Sequence, residues 1–155
     1  MGYIKQSLVG NERVVFRGAV HWVIFILPVL LMALAVWFWS FPADEPNFFF
    51  AFLMGSFLIF YGLWKLIAAL VYWLTTEMAL TTKRILIKTG LIRRDTMELS
   101  LPAFEGCRIE QSVLGRILGY GTIIFTGRGG LENKMRFVVA PLKFRQAALN
   151  QAELG

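Results

Sequence analysis

The sequence predicts an α+β membrane protein in which a two-helix transmembrane hairpin precedes a small β-barrel or β-sandwich with a C-terminal helix. Three observations support this prediction. Two long apolar runs, residues 19–41 and 48–74, are separated by only a short polar stretch. After Thr75 the pattern changes to short runs of apolar and polar residues divided by turn residues. The last of these runs is followed by a helical segment that begins at Pro141 and continues to about Gln151.

The two apolar runs are long enough to cross a membrane as helices. A helix rises about 1.5 Å per residue and the hydrocarbon core is about 30 Å thick, so about 20 residues suffice. The first run carries no formal charge, and the second carries only Lys65. Because lipid offers no hydrogen bonds to the backbone, we expect both runs to be helical. The expected division is an N-terminal arm (1–18), a hairpin (19–75) and a C-terminal domain (76–155).

The distribution of basic residues predicts which side of the membrane the termini occupy. Lys and Arg flank the hairpin on its outer sides, whereas the connecting loop carries only Asp44 and Glu45 as charged residues. Positive residues beside membrane segments stay on the cytoplasmic side. We therefore expect a multi-pass protein of the cytoplasmic (inner) membrane with both termini in the cytoplasm.

Small residues recur along one face of the second run and predict close helix packing. They are Ala51, Gly55, Gly62 and Ala69. Lys65 borders this face and is interpreted either as a side chain that extends to the headgroups or as a buried cation facing a carbonyl or a partner subunit. From this face we predict a homo-oligomer, although the first helix of the same hairpin could also cover it.

The N-terminal arm contains a possible strand over residues 13–17, after a turn signal at Gly10 and Asn11. Two positions are open for it: it pairs with the C-terminal domain, or it lies on the membrane surface.

The C-terminal domain is expected to be mostly β-structure. Six strands are expected, over residues 77–80, 84–88, 91–99, 104–111, 120–126 and 134–139. Alternation in the last of them places three apolar side chains on one face, namely Met135, Phe137 and Val139.

A short helix is expected over residues 112–118, between the fourth and fifth strands. Ser112 is a favourable N-cap residue, and Gly119 is placed to end the helix in a left-handed conformation. The apolar residues of this helix share one face: Val113, Leu114, Ile117 and Leu118.

Three stretches of the C-terminal domain resemble the membrane-flanked bacterial pleckstrin-homology (PH) family, in its second bacterial subfamily. They are residues 77–85, 88–92 and 111–121, and the most specific part is Gln111-Ser112 with Gly115-Arg116 and Tyr120-Gly121 in the last of them. The resemblance covers residues 76–153. It implies a PH-like fold of two nearly orthogonal antiparallel sheets with about seven strands and a C-terminal helix. One strand beyond the six is therefore missed, supplied by the N-terminal arm, or absent.

The same resemblance suggests a candidate binding surface. Eukaryotic relatives bind phosphoinositides through basic residues near the first strand–strand loop. The candidate lipid or partner surface here comprises Lys83, Arg84, Lys88, Arg93 and Arg94. The alternative interpretation is a solvated basic edge. Arg116 lies on the mostly apolar short helix and is either a structural bridge to strand carbonyls or a carboxylate, or a partner-binding residue.

No pattern in the sequence indicates catalysis, a cofactor or a metal. The only histidine, His21, lies at the expected membrane entry, and no Cys/His cluster has the spacing of metal ligands. No basic helix or zinc pattern points to nucleic acid, despite the net charge of +6. We expect a membrane-anchored scaffold or assembly subunit that acts through an unidentified protein partner and contacts membrane lipids. The alternative is a module that recognises anionic lipid headgroups.

Overall fold

The computed structural model describes residue 4, residues 12–90 and residues 95–154. The chain divides into two compact units. The first, hereafter the β unit, combines the residues up to His21 with those from Thr75 onward. The second, hereafter the hairpin, is Trp22–Leu74. The turn predicted at Gly10 and Asn11 lies outside the described residues.

The hairpin consists of a short 3-10 helix and two α-helices. The 3-10 helix covers Trp22–Phe25, α1 covers Ile26–Trp39, and α2 covers Phe48–Thr75. Residues Trp22–Trp39 and Phe48–Thr75 are long and apolar enough to cross a membrane, judged by length and composition alone.

The predicted first helix is wrong at its N-terminal end, because residues 19–21 belong to the β unit. The N–H of Val139 donates to the carbonyl of Ala19 at 2.9 Å, and the N–H of His21 donates to the carbonyl of Phe137 at 2.6 Å. The apolar character of this stretch reflects burial against a strand, which a hydropathy pattern does not distinguish from burial in lipid.

The glycines of α2 face α1 of the same hairpin. A Cβ atom at Gly55 would overlap the Trp39 indole, and a Cβ atom at Gly62 would lie 2.9 Å from Cγ of Met32. Three of the four predicted packing residues are buried and the last is half-buried: Ala51, Gly55, Gly62 and Ala69. Because α1 already covers this face, the face gives no support for a homo-oligomer, which stays a prediction.

Lys65 is half-buried on α2. Its Nζ lies 5.3 Å from the centre of the Tyr61 ring, one helical turn earlier. This geometry is a cation–π contact, which partly offsets the cost of placing an ammonium group on an apolar helix.

Among the described residues of the β unit, seven antiparallel strands form two sheets. The first sheet has the order β1 (Val14–Gly18), β2 (Glu77–Thr81), β3 (Arg84–Thr89) and β4 (Asp95–Ser100). The second has the order β5 (Phe104–Glu110), β6 (Tyr120–Gly127) and β7 (Leu131–Val139). The short helix α3 (Val113–Leu118) joins β5 to β6, and α4 (Pro141–Leu154) follows β7. Two sheets and a C-terminal helix fit the PH-like fold that the resemblance implied.

Strand β1 shows where the seventh strand comes from. Arg17 pairs with Ala79 and Gly18 pairs with Met78 of β2. The N-terminal arm therefore joins the first sheet, which answers the question that the sequence left open. It follows that the hairpin is an insertion between two neighbouring strands. Part of the predicted third strand, residues 91–94, lies outside the described residues.

The side-chain alternation predicted for β7 is wrong in its C-terminal half. Met135 and Val138 are buried, whereas Phe137 and Val139 are more than one third exposed. The pairing with β6 shifts register at this point, and Phe137 has a φ of 58°. A β-bulge of this kind adds one residue to a strand and reverses which side chains face the core beyond it.

Helix α4 closes the core of the β unit through Phe144. This side chain is fully buried. Its ring packs edge-on against Phe16 at 5.5 Å and against Phe125 at 5.7 Å between ring centres. Because Phe16 lies in β1 and Phe125 in β6, one residue joins the C-terminal helix to both sheets.

Candidate interaction surface

The structure places Arg84 in an ion-pair network. Its Nε and Nη2 atoms each donate to the Glu12 carboxylate at 3.0 Å, and Nη1 donates to Glu98 Oε2 at 2.6 Å. Glu12 is buried and also accepts a hydrogen bond from the Thr81 hydroxyl at 2.6 Å. The hydrogen bond with Glu12 raises the pKa of Arg84, so the guanidinium stays charged. Through these ion pairs Arg84, which lies in β3, connects the segment before β1 with β4.

The rest of the predicted basic surface is spread over different environments. Lys83 is exposed, and Lys88 is half-buried. Arg93 and Arg94 lie outside the described residues. Because two carboxylates balance the charge of Arg84, this edge offers less positive charge to an anionic ligand than the sequence alone indicates.

The stretch that carried the most specific resemblance holds α3 in a fixed position. The Ser112 hydroxyl accepts the N–H of Gly115 at 3.0 Å, and the Gln111 side-chain amide donates to the Tyr120 carbonyl at 2.9 Å. Gly119 ends the helix with a φ of 78°, which confirms the predicted left-handed cap. A Cβ atom at Gly115 would lie only 2.8 Å from the Tyr120 carbonyl oxygen, so glycine permits the close approach of α3 to β6.

The apolar side chains of α3 face away from the core. Val113 is 77% exposed, Leu114 64%, Ile117 74% and Leu118 39%, whereas Gly115 is buried. Burial of apolar surface stabilises a protein by about 25 cal/mol for each Å² removed from water, and the exposed side chains of α3 do not contribute this stabilisation. A clustered set of this kind on a fixed helix is a candidate binding surface. The sequence showed that these residues share a face, but not that the face is open.

Helix α3 lies at the corner of the β unit from which the chain leaves for the hairpin. The Tyr120 ring, directly after the Gly119 cap, is 5.4 Å from the ring of His21 and 6.2 Å from that of Phe137. His21 is the last residue of the β unit before the hairpin begins at Trp22. The exit point and α3 are therefore neighbours within the same unit.

A hollow lined by arginines lies beside α3. Its volume is about 410 Å³. The lining residues are Cys107, Arg108, Ile109, Gln111, Arg116, Leu142 and Arg145. None of these described lining residues is acidic. Arg108 makes an exposed ion pair at 3.2 Å with Glu110, which lies two residues further along β5. The hollow therefore presents positive charge beside an apolar helix.

Arg116 does not make the structural bridge that was one of its two interpretations. Within residues 12–90 and 95–154 its guanidinium has no hydrogen-bond or ion-pair partner, and the side chain is exposed. This favours the other interpretation, a residue available to a partner.

The thiol of Cys107 is not activated for covalent chemistry. Burial raises the pKa of Cys107, and the positive charge of Arg145 lowers it by less. The group is consequently protonated at neutral pH, and the thiol form is a weak nucleophile. The described residues hold no group of three or more His, Cys, Asp or Glu side chains arranged for a metal. The arrangement is suited to binding an anionic group by charge and hydrogen bonding.

Comparison with known proteins gives one match. A family model described as bacterial PH domain matches residues 8–152, which confirms the resemblance found in the sequence. The match begins before β1 and continues through the hairpin into α4. No curated protein and no solved structure matches the chain.

Proposed function

The chain belongs to the bacterial PH domain family, and we propose on this basis that it is a membrane-anchored scaffold that holds a protein partner at the cytoplasmic membrane surface. PH domains are modules for interaction with proteins or lipids. The observation that carries the proposal is the insertion of a hairpin of membrane-spanning length between β1 and β2. Whatever the β unit binds is thereby held at the membrane.

The exposure of the hairpin supports a lipid environment. Only 11% of residues Trp22–Trp39 are buried within the chain, and only 6% of an 18-residue apolar stretch within Phe48–Thr75. Large aromatic side chains, among them Phe49, Phe60 and Trp64, are more than 60% exposed. A core helix of a soluble protein buries such side chains within its own fold, whereas lipid accepts them without cost.

We assign the partner contact to Arg108 and Arg145 of the arginine-lined hollow. Guanidinium groups bind carboxylates with two parallel hydrogen bonds, so an acidic segment of a protein has the complementary chemistry. Arg145 and Arg108 lie on different elements, α4 and β5, so the two charges reach the hollow from separate parts of the fold. The alternative, recognition of lipid headgroups at the edge around Lys83, has less support because Arg84 is already paired with Glu12 and Glu98.

Membrane topology is tested by cysteine labelling in a Cys107→Ser background. Asn47→Cys lies in the loop between α1 and α2, and Gln146→Cys lies on the exposed side of α4. We expect a membrane-impermeant maleimide to label Asn47→Cys in cells whose outer envelope is opened, and Gln146→Cys only after the inner membrane is disrupted. The reverse order of labelling would contradict the proposed topology, and labelling of both positions at once would contradict membrane insertion.

The partner contact is tested by charge reversal in the full chain. Arg145→Glu should weaken capture of a stoichiometric protein partner from mild detergent about tenfold, because one charge-assisted hydrogen bond is lost and repulsion is added. Arg128→Glu, an exposed arginine in the turn after β6, is the charge-matched control and should leave capture unchanged. Equal capture by both variants would exclude the hollow. Salt-sensitive binding to anionic liposomes that Lys83→Glu abolishes, without any protein partner, would favour the lipid alternative.

A further inference from the structure

We propose that α3 is a second, peripheral membrane contact: its exposed apolar side chains enter the interfacial layer of the bilayer, and Arg116 binds a lipid phosphate. The inference rests on the membrane anchor of the proposed function and goes beyond it. It assigns to the β unit a lipid-binding surface of its own, distinct from the hairpin and from the basic edge at Lys83.

The side chains of α3 have the pattern of a shallow membrane contact. Leu114 and Ile117 project from a six-residue helix, which is far too short to span a bilayer. Arg116 flanks the apolar face, and Gly115 lies on the opposite side against β6. Interfacial helices combine these features, with apolar side chains entering the acyl boundary by about 5–10 Å and cations at the headgroups.

The position of α3 in the β unit places it beside the residue from which the chain enters the hairpin. His21 and Tyr120 are in ring contact at 5.4 Å, and Tyr120 follows the Gly119 cap of α3 directly. From His21 the chain passes into the hairpin at Trp22 without a linker. The corner of the β unit that carries α3 is therefore tied to the membrane by the covalent chain.

Charge complementarity favours a lipid surface over a second copy of this chain. Residues 111–119 contain no acidic residue, and Arg116 within this segment is exposed. Two copies meeting through this face would bring their Arg116 side chains together without a carboxylate from the segment to balance them. An anionic leaflet supplies the opposite charge across its whole surface.

The fixed position of α3 also favours contact with the membrane. The Ser112 cap, the Gln111 hydrogen bond and the close approach of Gly115 to β6 hold the helix before any contact is made. A preformed helix loses less conformational freedom when it binds, so more of the favourable free energy of its apolar contacts is retained.

The test uses the full chain in nanodiscs that contain phosphatidylglycerol with brominated acyl chains. In a Cys107→Ser background, three separate variants, Leu114→Cys, Asn150→Cys and Phe57→Cys, each carry an environment-sensitive fluorophore on the introduced cysteine. Asn150 is exposed near the far end of α4, and Phe57 is exposed on the hairpin. We expect the label at Leu114 to be quenched by bromine several-fold more than the label at Asn150, and Ile117→Glu to reduce that difference at least twofold.

The outcomes separate the inference from the proposed function. If Phe57 is quenched while Leu114 is quenched no more than Asn150, the anchor stands and the second contact is overturned. If Phe57 itself is not quenched, the anchor fails and the inference fails with it. A blue shift at Leu114 without bromine quenching would identify a protein occupant and would overturn the lipid contact.

Discussion

Replacement of Phe144 by alanine is expected to lower the free energy of unfolding of the β unit by about 4 kcal/mol, because it removes a fully buried aromatic ring and leaves a cavity. The ring also makes edge-on contacts with Phe16 and Phe125, and these contribute beyond the buried area. The measurement is chemical unfolding of the full chain in detergent micelles, followed by near-UV circular dichroism.

The matched control for Phe144→Ala is Leu142→Ala on the same helix. Leu142 is more than half exposed, so its truncation should cost less than about 1 kcal/mol in the same assay. A loss of stability for Phe144→Ala no larger than for Leu142→Ala would contradict the placement of α4 across both sheets. Phe16→Ala provides a further check, because a large loss there would show independently that the N-terminal strand belongs to the folded unit.

Replacement of Glu12 by alanine is expected to destabilise the β unit by about 3 kcal/mol. The Glu12 side chain is 1% exposed, and its removal leaves the Arg84 guanidinium without its buried acceptor, whereas the Thr81 hydroxyl keeps the Arg84 carbonyl at 2.7 Å. Removing one partner of a buried ion pair costs about 3–5 kcal/mol, and the remaining Glu98 contact places Arg84 at the lower end of that range. Unfolding in the same detergent assay measures the loss.

Two further variants separate the ion pair from general damage at this position. Glu98→Ala removes the more exposed partner and should cost about 1 kcal/mol or less. The double variant Glu12→Leu/Arg84→Leu removes both buried charges and should be clearly more stable than Glu12→Ala alone. If the stability loss of the double variant equalled the summed losses of Glu12→Leu and Arg84→Leu, the two residues would not be coupled.

Features with local causes were predictable from the sequence. The lengths of the apolar runs gave the two helices of the hairpin, and Ser112 and Gly119 marked the ends of α3 because caps depend on neighbouring residues. The strands of the C-terminal half were found to within a few residues for the same reason. The family resemblance, confirmed by the match, supplied the arrangement of two sheets and a closing helix.

Features that depend on distant residues were not predictable. Arg84 and Glu12 are 72 positions apart, and no local pattern links them. The pairing of β1 with β2 likewise joins residues on either side of the hairpin, so the sequence left the arm with two possible positions. The bulge at Phe137 inverted an alternation that was regular in the sequence. The exposure of the apolar face of α3 was not predictable, because periodicity shows that apolar residues share a side but not what covers that side.

The insertion of the hairpin between β1 and β2 has a consequence for biogenesis. During translation β1 emerges first and stays without its neighbour until the hairpin and then β2 have been synthesised. In the membrane-anchored form that we propose, the first sheet closes only if β1 and β2 end on the same side of the bilayer, which requires an even number of crossings. A nascent chain with one segment left outside the membrane would keep its two strands apart and expose β1 to proteases. Under that proposal, completion of the sheet would depend on correct membrane integration of the hairpin.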